Sequence, residues 1–153
     1  MSKLTLTTSD GTTFDVSEAA AAKFGAIRRM VEDGCTKSDK RIAVPMVDGK
    51  IFAMMVAWSE KHADNNAKAA EEAELKDWDA EFVKDMDQGV LYHLLMGADF
   101  LDAAELVDLL IGKVASMVKG KKAEEIRQIF HIENDFTPEQ EAEIRNKNAW
   151  AFE

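Results

Sequence analysis

The run Leu4-Thr5-Leu6-Thr7-Thr8-Ser9-Asp10-Gly11-Thr12-Thr13-Phe14-Asp15-Val16 alternates apolar and polar side chains on both sides of an Asp-Gly pair. Leu4, Leu6 and Thr8 recur at every second position, the period of a half-buried strand. Ser9-Asp10-Gly11 is a turn signal, and Thr13 to Val16 is a second short strand. Asp-Gly between two such runs predicts a β-hairpin. The hairpin excludes an all-helical fold, and the periods that follow are read outward from it.

Helical sequence comes next. Ser17 is placed to cap Glu18 to Lys23, and Phe24, Ile27, Met30 and Val31 keep helical spacing up to the stop at Gly34. Residues 35–40 are a polar loop. Arg41 to Val44 reads as a third strand, ended by Pro45, which offers no ladder N–H. From Ile51 the period returns to helical, with Ile51, Phe52, Met55, Val56 and Trp58 on one stripe. Residues 63–77 are alanine-rich and acidic with only Leu75 to bury, and they read as an exposed, flexible linker with fraying helix at its ends. Beyond it the chain is helical. Trp78 and Phe82 open the segment. Asp87 caps a helix to Leu101 that is apolar on nearly every side, the pattern of a central helix. Asp102 is a cap candidate for the next helix, which carries Leu106, Val107, Leu110, Ile111, Val114, Met117 and Val118 before Gly120. A short helix spans Ala123 to Phe130. Thr137-Pro138-Glu139-Gln140 is a capping box with proline at the first helical position, opening a last helix over 138–147. The tail 148–153 carries Trp150 and Phe152. The fold class expected is α+β, mainly α.

Composition narrows the function. The chain has 153 residues, 46% of them hydrophobic, enough for a packed core. Its formal net charge of -10 repels phosphate backbones, so nucleic acid is not an expected partner, while a basic protein surface would be favoured. No stretch approaches the roughly 20 apolar residues that cross a membrane. The single cysteine, Cys35, fits a reducing compartment, and a cytoplasmic and nuclear protein is expected. Enzyme signals are missing. The eight glycines form no phosphate loop. His62 shares a face with Met55 and Trp58 and reads as a partly buried spacer. His93 has no partner at metal-ligand spacing, and neither a metal nor a cofactor is expected. Cys35 has no histidine nearby in sequence to activate it as a nucleophile. Of the eight methionines, Met117 is the one assigned to an interface, because its helix enters the C-terminal segment.

The ordered motifs carry a family resemblance along almost the whole chain. They are Leu-Thr-Thr-Ser-Asp-Gly-Thr-Thr-Phe-Asp-Val at 6–16, Met-Val-Glu-Asp at 30–33, Val-Pro-Met at 44–46, Trp-Asp-Ala-Glu-Phe at 78–82, Asp-Gln-Gly-Val-Leu at 87–91 and Ala-Asp-Phe-Leu-Asp at 98–102. The C-terminal strings are the most specific: Val-Ala-Ser-Met-Val-Lys-Gly-Lys at 114–121, Glu-Glu-Ile-Arg at 124–127, Phe-His-Ile-Glu-Asn-Asp-Phe-Thr-Pro-Glu at 130–139 and Asn-Ala-Trp-Ala-Phe-Glu at 148–153. The chain resembles the S-phase kinase-associated adaptors of SCF ubiquitin ligases. The resemblance implies a BTB/POZ-like domain over 1–112, with 63–77 as a linker within it, and a helical F-box-binding extension over 113–153. It implies an adaptor without catalysis that bridges F-box proteins to a cullin N-terminal domain.

The resemblance also implies site residues. Leu110, Val114, Met117, Ile126, Phe130, Ile132, Phe136, Trp150 and Phe152 would face the F-box, and Pro45, Met46, Asp99 and Phe100 the cullin. Physics points the same way for the extension, which is too short to bury its own large apolar side chains. Three departures mark a divergent member. The family's Asn-Tyr pair is Asp99-Phe100, its Pro-Asn after Val-Pro-Leu is Val47-Asp48, and its Thr-Pro before Glu-Glu-Ile-Arg is Lys122-Ala123. Pro138 lies where members in some protists are hydroxylated and glycosylated, beside its plainer role as a helix-start proline. The alternative function is a BTB-type module that self-associates or binds F-box proteins in a non-ligase complex. Exposed apolar surface leaves room for a weak homodimer.

Overall fold

The protein is described here by a computed structural model over residues 3–34, 40–63 and 69–151. Its sheet has β1 (Lys3–Thr8) between two neighbours, antiparallel to β2 (Thr13–Ser17) and parallel to β3 (Arg41–Val44). The register sets Leu4 opposite Val16 and Leu6 opposite Phe14 on one side, and Leu6 opposite Ile42 on the other. Leu4, Leu6, Thr8, Val16, Ile42 and Val44 are buried, so one face of the sheet is core, as the alternation predicts. The expected hairpin forms. Gly11 takes the left-handed conformation that its turn needs, with φ at 80°.

The helices of the described residues are α1 (Glu18–Ala21), α2 (Gly25–Glu32), α3 (Gly49–Ala63), α4 (Ala69–Lys84), α5 (Gln88–Phe100), α6 (Ala104–Val118), α7 (Ala123–Phe130) and α8 (Pro138–Lys147), with α1 and α3 packed on the sheet. A 3-10 turn spans Ala149–Ala151. The chain divides into two compact units, Met1–Val114 and Ala115–Glu153. The first packs Phe24, Phe52, Met55, Trp58, Leu91, Leu94, Leu106 and Leu110 out of water.

Local chemistry explains the element starts. The Ala20 N–H donates to Ser17 Oγ at 3.2 Å, so Ser17 caps α1 as expected. Ser17 is held in turn by Glu60 of α3, whose carboxylate accepts from both its N–H and its hydroxyl at 3.1 Å. The helical run from 18 to 34 is broken in two, because the first N–H groups of α2 find tertiary acceptors. Gly25 and Ala26 donate to the carbonyls of Asp102 and Leu101, each at 3.0 Å. This joint also overturns the cap expected of Asp102. It sits at φ 55° between α5 and α6, and its carboxylate accepts from Arg29 at 2.7 Å instead of closing the start of α6.

The N-terminus of α3 is closed by two carboxylates. Asp48 Oδ1 accepts from the Ile51 N–H at 2.8 Å, and Asp10, in the hairpin turn, accepts from the Gly49 N–H at 3.1 Å. Asp10 also accepts from the Thr8 hydroxyl. The Thr8 hydroxyl first, and then the Gly49 N–H, lower the Asp10 carboxyl from 3.8 to about 2.

Residues 69–77 differ from the linker expectation, since they form the first half of α4; residues 64–68 lie outside the described residues. Alanine, glutamate, leucine and lysine are strong helix formers even where little is buried. The second half of α4 is anchored by a stacked Trp78–Phe82 pair at 5.1 Å, by buried Val83, and by Asp79, which lies 2.8 Å from His62 Nε2. His62 is mostly buried with its ring 4.3 Å from that of Trp58, as its shared face with Trp58 predicts, but it also holds Asp79 and so is more than a spacer. Asp87 caps α5 through the N–H groups of Gly89 and Val90.

Two predictions follow from these joints. A Cβ added at Gly25 would lie 2.7 Å from Asp102 Oδ2 and 2.8 Å from the Asp102 backbone oxygen. Gly25→Ala is therefore expected to destabilise the protein by about 1–3 kcal/mol, read as a lower urea midpoint with unchanged slope. Because the folded carboxyl of Asp10 titrates near 2, below its unfolded value of 3.8, its contribution is complete above about pH 4 and is lost as pH falls through 2. In urea melts across pH, Asp10→Asn should be less stable than wild type near neutrality. The gap should close between pH 4 and pH 2.

Candidate interaction surfaces

Helix α5 is apolar on nearly all sides in sequence, yet the structure does not bury it all round. Leu91, Leu94, Gly97 and Ala98 face the core. Tyr92, Met96 and Phe100, spaced four apart and therefore on one face, are exposed, with Met96 at 70% and Phe100 at 50%. Asp99, three residues after Met96, lies exposed on the same side. Close packing sets this face beside the loop before α3. A Cβ at Gly97 would come within 3.2 Å of Val47 Cγ2, so the loop and α5 touch where glycine leaves room. Val47 is buried, whereas its neighbours Pro45 and Met46 are exposed, Met46 at 67%. The four residues assigned to cullin contact, Pro45, Met46, Asp99 and Phe100, thus lie on two segments joined at Val47 and Gly97. Met96 and Tyr92 share the exposed side of α5 with Phe100. The sequence reading took this helix as central, because a fully apolar helix does not say which of its faces is left uncovered.

The residues assigned to the F-box divide differently. Leu110 is fully buried in α6, which removes it as a contact residue. Its neighbour Ile111 is 52% exposed and offers the surface that Leu110 lacks. The spacing of α6 supports either residue as the inward one, which is why sequence chose wrongly. Val114 is half-buried.

In the second unit Met117, Ile126 and Phe130 are half-buried, and Ile132, Phe136 and Trp150 are exposed. Phe152 lies outside the described residues. Ile144 of α8 is a further exposed apolar residue. None of the described residues of this unit is buried. Its elements are nonetheless well specified. Gly120, at φ 72°, ends α6, and His131 ends α7 in a left-handed conformation, with the Ile132 N–H donating to the Arg127 carbonyl at 2.8 Å. With Lys122 at the cap position, α7 starts without a side-chain cap. Thr137 and Gln140 exchange the two hydrogen bonds of the expected capping box, each at 3.1 Å, with exposed Pro138 at the start of α8. The unit is therefore a set of locally fixed helices with apolar side chains displayed, and none of them is fully buried among the described residues. Cys35 lies outside the described residues.

Known proteins match both parts of the chain. Residues 2–64 match the family model described as Skp1 family, tetramerisation domain, and residues 104–151 match Skp1 family, dimerisation domain. SKP1-like protein 14 of Arabidopsis thaliana is 44% identical over 151 residues, covering 99% of this chain and 97% of that protein. SKP1-like protein 4 of the same plant is 43% identical, with 97% and 94% covered. SKP1-like protein 20 of Oryza sativa subsp. japonica is 43% identical, with 98% and 94% covered. The three-stranded sheet and its covering helices are thus a BTB/POZ-like domain. Similarity of this extent over nearly the full length means that the chain belongs to the Skp1 family, the adaptors of SCF complexes.

Proposed function

We propose that the protein is a non-catalytic bridge in an SCF-type ubiquitin ligase, binding an F-box substrate receptor through its second unit and a cullin N-terminal domain through the α5 face. The observation that carries the first half is a helical unit displaying Ile132, Phe136, Ile144 and Trp150 with no buried residue among those described. A unit of this size does not stabilise itself by burial, and large exposed aromatics are anchors for a partner. The α5 face offers Met46, Met96 and Phe100 to the second partner. Holding a substrate receptor and a cullin on one chain raises the effective concentration of substrate at the ubiquitin-charged enzyme, and no bond is made or broken on the adaptor itself. A cytoplasmic and nuclear setting fits this role.

The competing reading, a BTB-type module in a non-ligase complex, is favoured by the carboxylate of Asp99 on the cullin side. Sedimentation separates the two. A ternary complex with an F-box domain and a cullin N-terminal domain supports the bridge. A tight F-box complex that takes up no cullin supports the rival.

Trp150→Ala and Phe136→Ala should each weaken binding to a purified F-box domain by about 2 kcal/mol, roughly thirtyfold. Both side chains are exposed in the free chain, Trp150 at 76%, so its melting temperature should stay within about one degree of wild type. Titration calorimetry beside thermal melts checks both parts, and unchanged affinity in the two variants would remove this surface from the F-box assignment.

A further inference from the structure

The cullin-side face has one charged member whose position makes no sense for the free chain. Asp99 lies in the last turn of α5, where the helix macrodipole is negative and a carboxylate is repelled. That turn contains no basic residue to offset it. The nearest acidic neighbour in sequence, Asp102, has its cation in Arg29 at 2.7 Å. Among the described residues no cation pairs with Asp99, and none donates a hydrogen bond to its side chain. The carboxylate is exposed between two large apolar side chains, with Met96 three residues before it and Phe100 directly after. A partner that covers Met96 and Phe100 must also cover Asp99. A carboxylate desolvated without a counter-ion is strongly unfavourable, so an apolar partner surface alone would be rejected at this point.

We propose that Asp99 determines which partner this face accepts, by pairing with a lysine or arginine that the partner presents beside an apolar recess for Met96 and Phe100. The inference rests on the reading of this face as the cullin-docking surface. It adds that the cullins accepted are those with a cation at this contact. A chain of net charge -10 attracts such a partner at long range, and the local carboxylate fixes its register. Partners with an acid or an uncharged apolar group at that position are refused, because the unpaired charge works against them.

The test uses the full chain and purified cullin N-terminal domains, with affinity measured at low and high salt. Asp99→Asn should weaken binding about three- to tenfold and flatten the salt dependence. Asp99→Lys should weaken it further, and changing the facing cullin lysine or arginine to glutamate should restore binding to Asp99→Lys but not to wild type. In the free chain Asp99→Asn should melt no lower than wild type, since it removes a repelled charge from a helix end. An Asp99→Asn chain that binds as tightly as wild type at both salts overturns the proposal, as does one that melts lower, which would make Asp99 structural. Phe100→Ala separates this failure from failure of the docking surface. If wild type binds a cullin and Phe100→Ala binds equally well, the face itself is wrongly assigned. If no cullin binds while the F-box domain does, the bridge reading and the Asp99 inference fall together.

Discussion

The Asp10 carboxylate joins two parts of the fold that local sequence would leave apart. It sits in the hairpin turn, takes the Thr8 hydroxyl from its own strand, and accepts from the first N–H of α3. The Ser9 N–H adds a bond to the Val47 carbonyl at 2.9 Å. Together they pin the loop before α3 against the hairpin, with Val47 turned inward and Met46 outward. Val47 then meets α5 at Gly97, the position where a side chain would keep the helix away. The exposed face of Met46, Met96, Asp99 and Phe100 is thus the far end of a series of constraints that starts at one turn.

A second joint holds the residues that follow α5, at the same C-terminal end as Gly97. Gly25 and Ala26 take their acceptors from the α5–α6 connection, and Arg29 takes the Asp102 carboxylate. Asp102 holds a left-handed conformation there, which a residue other than glycine adopts at some cost and keeps only when its surroundings hold it. With Val47 against Gly97 and α2 bonded to the α5–α6 connection, the C-terminal end of α5 is held twice and has little freedom to roll and hide its apolar outer stripe. The exposure of Met96 and Phe100 is a consequence of how the helix is clamped, and not of any shortage of apolar neighbours.

Much of this was legible in sequence, and the misses share a cause. Features set by neighbours within a few residues were readable: the hairpin with its Asp-Gly turn, the Ser17 and Asp87 caps, the Thr137–Gln140 box and the stop at Gly120. Those decided by a distant partner were not. The break before Gly25 depends on carbonyls at 101 and 102, and Asp102 looked like a cap because nothing local reveals Arg29. Residues 69–77 looked like linker because apolar content is a proxy for burial, whereas helix propensity and the anchors at Trp78, Asp79 and Val83 decide the structure. Leu110 and Ile111 are adjacent and equally apolar, so only the packing of α6 tells which one is hidden. The candidate surface of the second unit was the more readable of the two, since a short segment with many large apolar residues has nowhere to bury them.

The two surfaces differ in what binding must supply. The α5 face belongs to a unit with a full core, so it is preorganised, and a partner there contributes contact and charge pairing to a shape already fixed. The second unit has caps and turns but no buried residue among those described. Capping fixes where helices start and stop, and it contributes far less than burial to holding them against one another. A partner that covers Ile132, Phe136, Ile144 and Trp150 would therefore provide the core that the unit lacks, and part of the interaction energy would go into ordering it. Affinity at that surface is then sensitive to helix propensity and capping within the unit as well as to the contacts themselves. On the α5 face it depends almost wholly on the contacts.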